Sequence, residues 1–299
     1  MSVAAPFPAA AVAPHPAPGT PDHPDPAVTL REIERLFMTD AFEEAILAGQ
    51  RLLVAHDQHP FLDPLTERQA TLWTGLAQAQ LEALPIAMRF YTDLLARLGD
   101  HPVAELQVFV ALALFHRGVR RQFDHDPEGA GADLDAVVAR FGDRPEPLLR
   151  QLVTHALFRR GLFHSINLDF APEAAAAVHA AYDAVLARIG EEDELPLQEL
   201  AALTLFHKGL THQRTGQYLA AVATYDALAT RFGQREALSL QTQVAEALFF
   251  KGRALHKHGD QAQGDAAFQA LVARFGARQE PPLVVWVARS QLHLYGDGC

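Results

Sequence analysis

The chain has 299 residues, a formal net charge of −11 and one cysteine, and aliphatic and aromatic residues make up 49% of it. That apolar share suffices for an extended core, no apolar run of about 18 residues or more is present to cross a bilayer, and the excess of acids argues against a general nucleic-acid binder, which needs a basic surface. The lone Cys299 excludes an internal disulfide framework and fits a reducing, cytoplasmic compartment.

Residues 1–26 are rich in Pro and Ala and poor in large apolar side chains, so they cannot bury enough surface to offset ordering entropy and are expected to form a disordered tail. The start lacks a basic flank and is broken by prolines, unlike a secretory signal. Its prolines favour extended polyproline II segments that a partner can hold, against the plainer reading of an inert tail. Residues 27–57 then carry two amphipathic segments, with Leu30, Ile33, Leu36 and Phe37 on the first and Phe42, Ala45, Ile46, Leu52 and Leu53 on the second. Asp40 and Phe42 mark the turn between them.

From here a two-helix pattern recurs. The unit over residues 71–99 has Gly75, Ala87, Tyr91 and Leu94, with Pro85 at the start of its second helix, where a missing N–H costs nothing. The next has Gly118, Ala130 and Leu134, but His125 and Pro127 stand at its turn, so its second helix is expected to begin late or loosely. The unit around Gly161 carries five extra residues within HSINLDFAPEAAA, where Asp169 ahead of Pro172 and Glu173 makes a capping arrangement. The clearest unit spans residues 205–233. Leu205, Gly209 and His212 stripe its first helix, Gly216 sits where a tight turn needs positive φ, and Tyr218, Ala221, Val222, Tyr225 and Leu228 stripe its second. Small residues at Gly209 and Ala221 let the two helices approach closely, with Tyr225 in the wedge beside them. A last complete unit has Leu248, Gly252, Leu255, Gly259, Gly264, Phe268 and Leu271.

The anchor glycines Gly75, Gly118, Gly161, Gly209 and Gly252 are 43, 43, 48 and 43 residues apart, and the closing glycines Gly99, Gly142, Gly190, Gly233 and Gly276 repeat the same two intervals. From each closing glycine to the next anchor is 19 residues, so the extra length precedes the anchor and is expected to lengthen the first helix. At the joints, GDHP, GDRPEP and GEEDELP place Gly where one helix closes and acids and Pro where the next begins. After Gly276, PPLVVWVARSQLHLYG reads as one more first helix with no partner, a cap for the open end. Val284, Val285, Trp286 and Val287 are consecutive and cannot all face inward, which leaves apolar surface for a homodimer contact.

The set Leu205, Gly209, Gly216, Tyr218, Ala221, Tyr225 and Leu228 resembles the tetratricopeptide repeat, in a long variant whose period exceeds the usual ~34 residues. The resemblance implies an all-α, right-handed α-solenoid over residues 27–279, a capping helix over 280–299, and a non-catalytic, cytoplasmic scaffold that binds a protein or peptide on its concave face without a cofactor. Before the anchor glycines stand LFHRG, LFRRG, LFHKG and LFFKG, giving the columns Phe115, Phe158, Phe206, Phe249 and His116, Arg159, His207, Phe250. In that family the corresponding places line the ligand groove, and these eight residues are its candidates here. Against this stands the reading of the phenylalanines as inter-repeat core. Arg117, Arg160, Lys208 and Lys251 follow, where the family prefers an apolar residue; they form either a cationic strip for an acidic peptide or a solvated row whose stems cover the helix.

The 15 histidines form no pair with metal-binding helical spacing: His207 and His212 are five apart, and His256 and His258 diverge on a helix, while His15, His23, His56 and His59 fall in or near loops. No G-x-S-x-G, phosphate-binding glycine loop or paired cysteine is present, and Glu191, Glu192, Asp193 and Glu194 read as helix-start charges. Two other function classes compete with the scaffold. One is a regulatory or self-assembly domain that works through the tail and the terminal helix. The other is an enzyme built on helical repeats, which needs a deep polar pocket.

Overall fold

The computed structural model of the protein describes residues 25–166, 175–191 and 193–296. The Pro/Ala-rich start, the insertion with Asp169, Pro172 and Glu173, and Cys299 lie outside the described residues. Among those described the fold is all-α, with 13 helices: α1 (Pro26–Met38), α2 (Phe42–Gln58), α3 (Pro64–Leu81), α4 (Leu84–Leu98), α5 (Ala104–Phe123), α6 (Pro127–Phe141), α7 (Pro147–Ile166), α8 (Ala175–Ile189), α9 (Leu195–Arg214), α10 (Tyr218–Phe232), α11 (Leu238–His258), α12 (Gln261–Phe275) and α13 (Pro281–Tyr295). None is long and apolar enough to cross a membrane. From α4 to α12 the second helices are 15 residues each, whereas α5, α7, α9 and α11 have 20 or 21, so the added length sits in the first helices as the spacing predicts.

Local chemistry sets the boundaries. Asp25, Asp63 and Asp260 accept hydrogen bonds from the first free N–H groups of α1, α3 and α12, and Pro26 and Pro64 occupy positions that lack an acceptor anyway. Four of the turns inside the helix pairs use a left-handed residue: Asp40 (φ 59°), His125 (φ 55°), Gly216 (φ 75°) and Gly259 (φ 100°). The non-glycine pair makes the same turn at some backbone cost. α6 therefore does not begin late. It starts at Pro127, nine residues beyond Gly118, the same offset as Tyr218 from Gly209, because His125 takes the left-handed role and Asp126 accepts from Gly129 N–H at 2.9 Å.

The chain forms two compact units, one ending at Asp133 and one beginning at Leu134. In the first, Phe37, Trp73 and Phe109 make a continuous aromatic core, with ring centroids 5.3 and 5.1 Å apart. Arg120 of α5 donates to the carbonyls of Gln80 (2.7 Å) and Ala79 (3.2 Å), satisfying acceptors at the end of α3.

In the second unit each helix from α7 onward packs on the next, and the first helices α7, α9, α11 and α13 also meet in sequence. The closest approach within each pair is a glycine against an aromatic face. A Cβ on Gly161, Gly209 or Gly252 would stand 2.6, 2.4 or 2.7 Å from the ring of Tyr182, Tyr225 or Phe268. The wedge expected beside the Gly209 contact is thus the contact itself. Buried Val185, Leu228 and Leu271 continue the core behind these rings.

Candidate ligand surface on the first helices

The phenylalanine column of the second unit is core. Phe158, Phe206 and Phe249 are 5%, 6% and 5% exposed, which corrects the expectation that they line an open groove. Each is covered from both sides. Behind them lie Tyr182 (6.2 Å), Tyr225 (6.1 Å) and Phe268 (5.5 Å). In front lies the ring of the following repeat: His207 on Phe158 at 5.8 Å, Phe250 on Phe206 at 5.3 Å, and both Trp286 (5.2 Å) and His293 (5.4 Å) on Phe249. Stacking successive first helices places each phenylalanine under the neighbour's next residue, so the column joins repeats.

The adjacent column keeps an outward side. Arg159, His207 and Phe250 are half-buried. Burial pushes the Arg159 guanidinium and the His207 imidazole below their ordinary values. Arg253 lies over the Phe250 ring at 5.4 Å and Arg289 over Trp286 at 4.7 Å. Burial raises Glu246 above the usual carboxylate range against the opposing pull of Arg289. The result is a surface of rings and guanidinium planes over a rigid aromatic backing.

In the first unit the same sequence positions serve differently. Phe115 is half-buried with its ring 5.4 Å from His116, and His116 sits between Phe37 (5.6 Å) and Tyr91 (6.2 Å, stacked).

The basic row is neither a cationic strip nor simply solvated. Arg160 meets Asp135 at 2.8 Å, Lys208 meets Asp183 at 2.5 Å and Lys251 meets Asp226 at 2.6 Å, each acid 25 residues earlier, on the preceding second helix. Arg117 makes a two-pronged contact with the buried Asp133 (2.6 and 2.8 Å) and reaches Thr92, again 25 residues back, at 3.4 Å.

Another periodic column escaped the sequence reading. Arg188, Arg231 and Arg274, two residues before their closing glycines, donate to the carbonyls of Gly142, Gly190 and Gly233 of the preceding repeat. The last two also lie over the next residue's ring, Phe232 (5.2 Å) and Phe275 (5.0 Å). The signal was present as A-R-I-G, T-R-F-G and A-R-F-G at the repeat period. Gly190 closes its helix in the left-handed region (φ 56°), whereas Gly99, Gly233 and Gly276 are right-handed.

His179, not singled out in the sequence, stacks on His212 with ring centroids 3.9 Å apart, and both its ring nitrogens are buried without a hydrogen-bond partner. His256 meets Asp265 at 2.9 Å, but among the described residues no hydroxyl or thiol is hydrogen-bonded to its other nitrogen. No group of three or more metal-ligating side chains is assembled among the described residues. No protein-family model matches the chain, and no curated protein is similar to it in sequence.

Proposed function

We propose that this chain is a non-catalytic, cytoplasmic scaffold of tetratricopeptide-like helix pairs that holds a protein segment on the open face of its first helices. The observation that carries this reading is the half-buried column Arg159, His207 and Phe250, seated on the fully packed Phe158, Phe206 and Phe249. A partner gains most from rings and guanidinium groups already held in place, because little side-chain entropy is lost on contact. Affinity capture followed by mass spectrometry identifies the partner. Wild type should retain it and a His207→Ala/Phe250→Ala variant should release it; equal retention by both rejects this face.

A second reading rests on α13, where Val284 and Val285 are 41% and 47% exposed and Leu292 and Tyr295 are 70% and 69% exposed. These side chains suit a homodimer contact. Light scattering of the full chain beside one ending at Gly276 tests it, since a monomer in both removes the assembly reading.

A further inference from the structure

Two arginines of the second unit differ from the basic residues that tie its repeats together. Arg160, Lys208 and Lys251 are held by aspartates, and Arg188, Arg231 and Arg274 by backbone carbonyls. Arg253 of α11 and Arg289 of α13 are exposed and meet neither a carboxylate nor a carbonyl among the described residues. Each instead lies over the ring three residues before it, Arg253 over Phe250 at 5.4 Å and Arg289 over Trp286 at 4.7 Å. The two rings are themselves 6.1 Å apart. A ring contact steadies a guanidinium without using its in-plane N–H donors. The acid on this stripe of α11 is Glu246, one turn before Phe250; it is half-buried and acts on Arg289 without a direct ion pair. Along the two stripes Arg253, Lys257 and Arg289 stand against Glu246, so the local balance is positive on a chain whose formal net charge is −11.

We propose that the α11–α13 end of this face takes an acidic, extended protein segment, with carboxylates on Arg253 and Arg289 and an apolar side chain between them against Phe250 and Trp286. This rests on the reading of the face as the protein-binding surface, and it names the kind of segment bound. A planar guanidinium meets a carboxylate through two parallel N–H···O bonds, and groups already held over rings lose little freedom on contact. Packed neighbouring helices lie about 8–10 Å apart, a distance that an extended chain covers in about three residues. Two acids about three positions apart therefore reach both arginines. Glu246 acts on Arg289 and shares the surroundings of the Tyr225 hydroxyl with Arg253, so it competes with the segment and limits affinity. A nucleic acid, charged at every residue, meets the repulsion of a chain with net charge −11, which a segment with two acids largely escapes.

Panning a random peptide display library on the full chain, and then measuring the selected peptide by fluorescence anisotropy, tests the proposal. Enriched peptides should carry two acids about three positions apart with an apolar residue between them. Arg253→Gln/Arg289→Gln, at exposed positions, should weaken the selected peptide at least tenfold with the helical circular dichroism retained. Glu246→Gln, which leaves both arginines in place, should tighten it severalfold. An oligothymidylate of the same length should bind at least tenfold more weakly than the peptide. Enriched peptides that are neutral or basic, an affinity unmoved by Arg253→Gln/Arg289→Gln, or an oligothymidylate that binds as tightly overturns it. Neutral peptides that His207→Ala/Phe250→Ala releases would overturn this inference alone, whereas no enrichment on the wild-type chain would overturn it together with the protein-binding face.

Discussion

Lys251 Nζ lies 2.6 Å from Asp226 Oδ1, and the two residues are 25 positions apart, the same separation that joins Lys208 to Asp183 and Arg160 to Asp135. A basic residue on each of these first helices is thereby fastened to the second helix before it. The positive row counted along the sequence is spent on register, and an acidic ligand does not find it free.

It follows that Lys208→Gln/Lys251→Gln should leave ligand capture unchanged. Both acids are about half exposed, so each pair contributes only about 0–1 kcal/mol. Urea denaturation should report a small loss of stability, and capture should match wild type. A large drop in capture would return the row to the ligand surface.

Gly209→Ala should destabilise the second unit by about 1–3 kcal/mol, because its Cβ would enter the Tyr225 ring from 2.4 Å. Gly131→Ala meets nothing within 4 Å and should be neutral or stabilising by up to about 1 kcal/mol. Denaturation midpoints of the two variants separate a packing contact from a mere helix glycine.

Asp133 is buried and holds both Arg117 (2.6 Å) and Arg121 (2.9 Å). Asp133→Ala removes the only carboxylate that Arg117 is seen to meet and leaves Arg121 with Asp126 (3.2 Å), and should cost about 3 kcal/mol. A denaturation midpoint within error of wild type would show that the arginines find solvent.

Burial, helped by His212 and Lys208 and opposed by Asp183, lowers the His179 pKa from 6.5 to about 4. The unfolded chain therefore binds the proton more readily, so stability is full above pH ~6.5 and falls as pH drops towards 4. His179→Phe should flatten this part of the melting-temperature profile. The same pH slope in variant and wild type would contradict the assignment.

How much of this was legible in the sequence follows from what repeats. The 43-residue frame, the long first helices and the left-handed Gly216 are one-dimensional signals, since glycine spacing and helical periodicity survive without knowledge of neighbours. The pairing of Lys251 with Asp226 was not legible as such, because both read as ordinary surface charges until the helices are stacked. The burial of Phe158, Phe206 and Phe249 was undecidable for a related reason: a ring column at repeat spacing suits a groove or a core until the ring in front of each is placed. The Arg188, Arg231 and Arg274 column obeyed the frame and lay in reach of the same count.

On the proposed function the outward column binds while the phenylalanines behind it hold the repeats together. It is tested most directly by measuring partner affinity and urea denaturation on His207→Ala/Phe250→Ala and Phe206→Ala. The double variant should lose at least tenfold in affinity while remaining folded, and Phe206→Ala should lose about 3–5 kcal/mol of stability. A double variant that binds as wild type, or a Phe206→Ala chain that is fully stable and yet unable to bind, would reverse the roles assigned to the two columns.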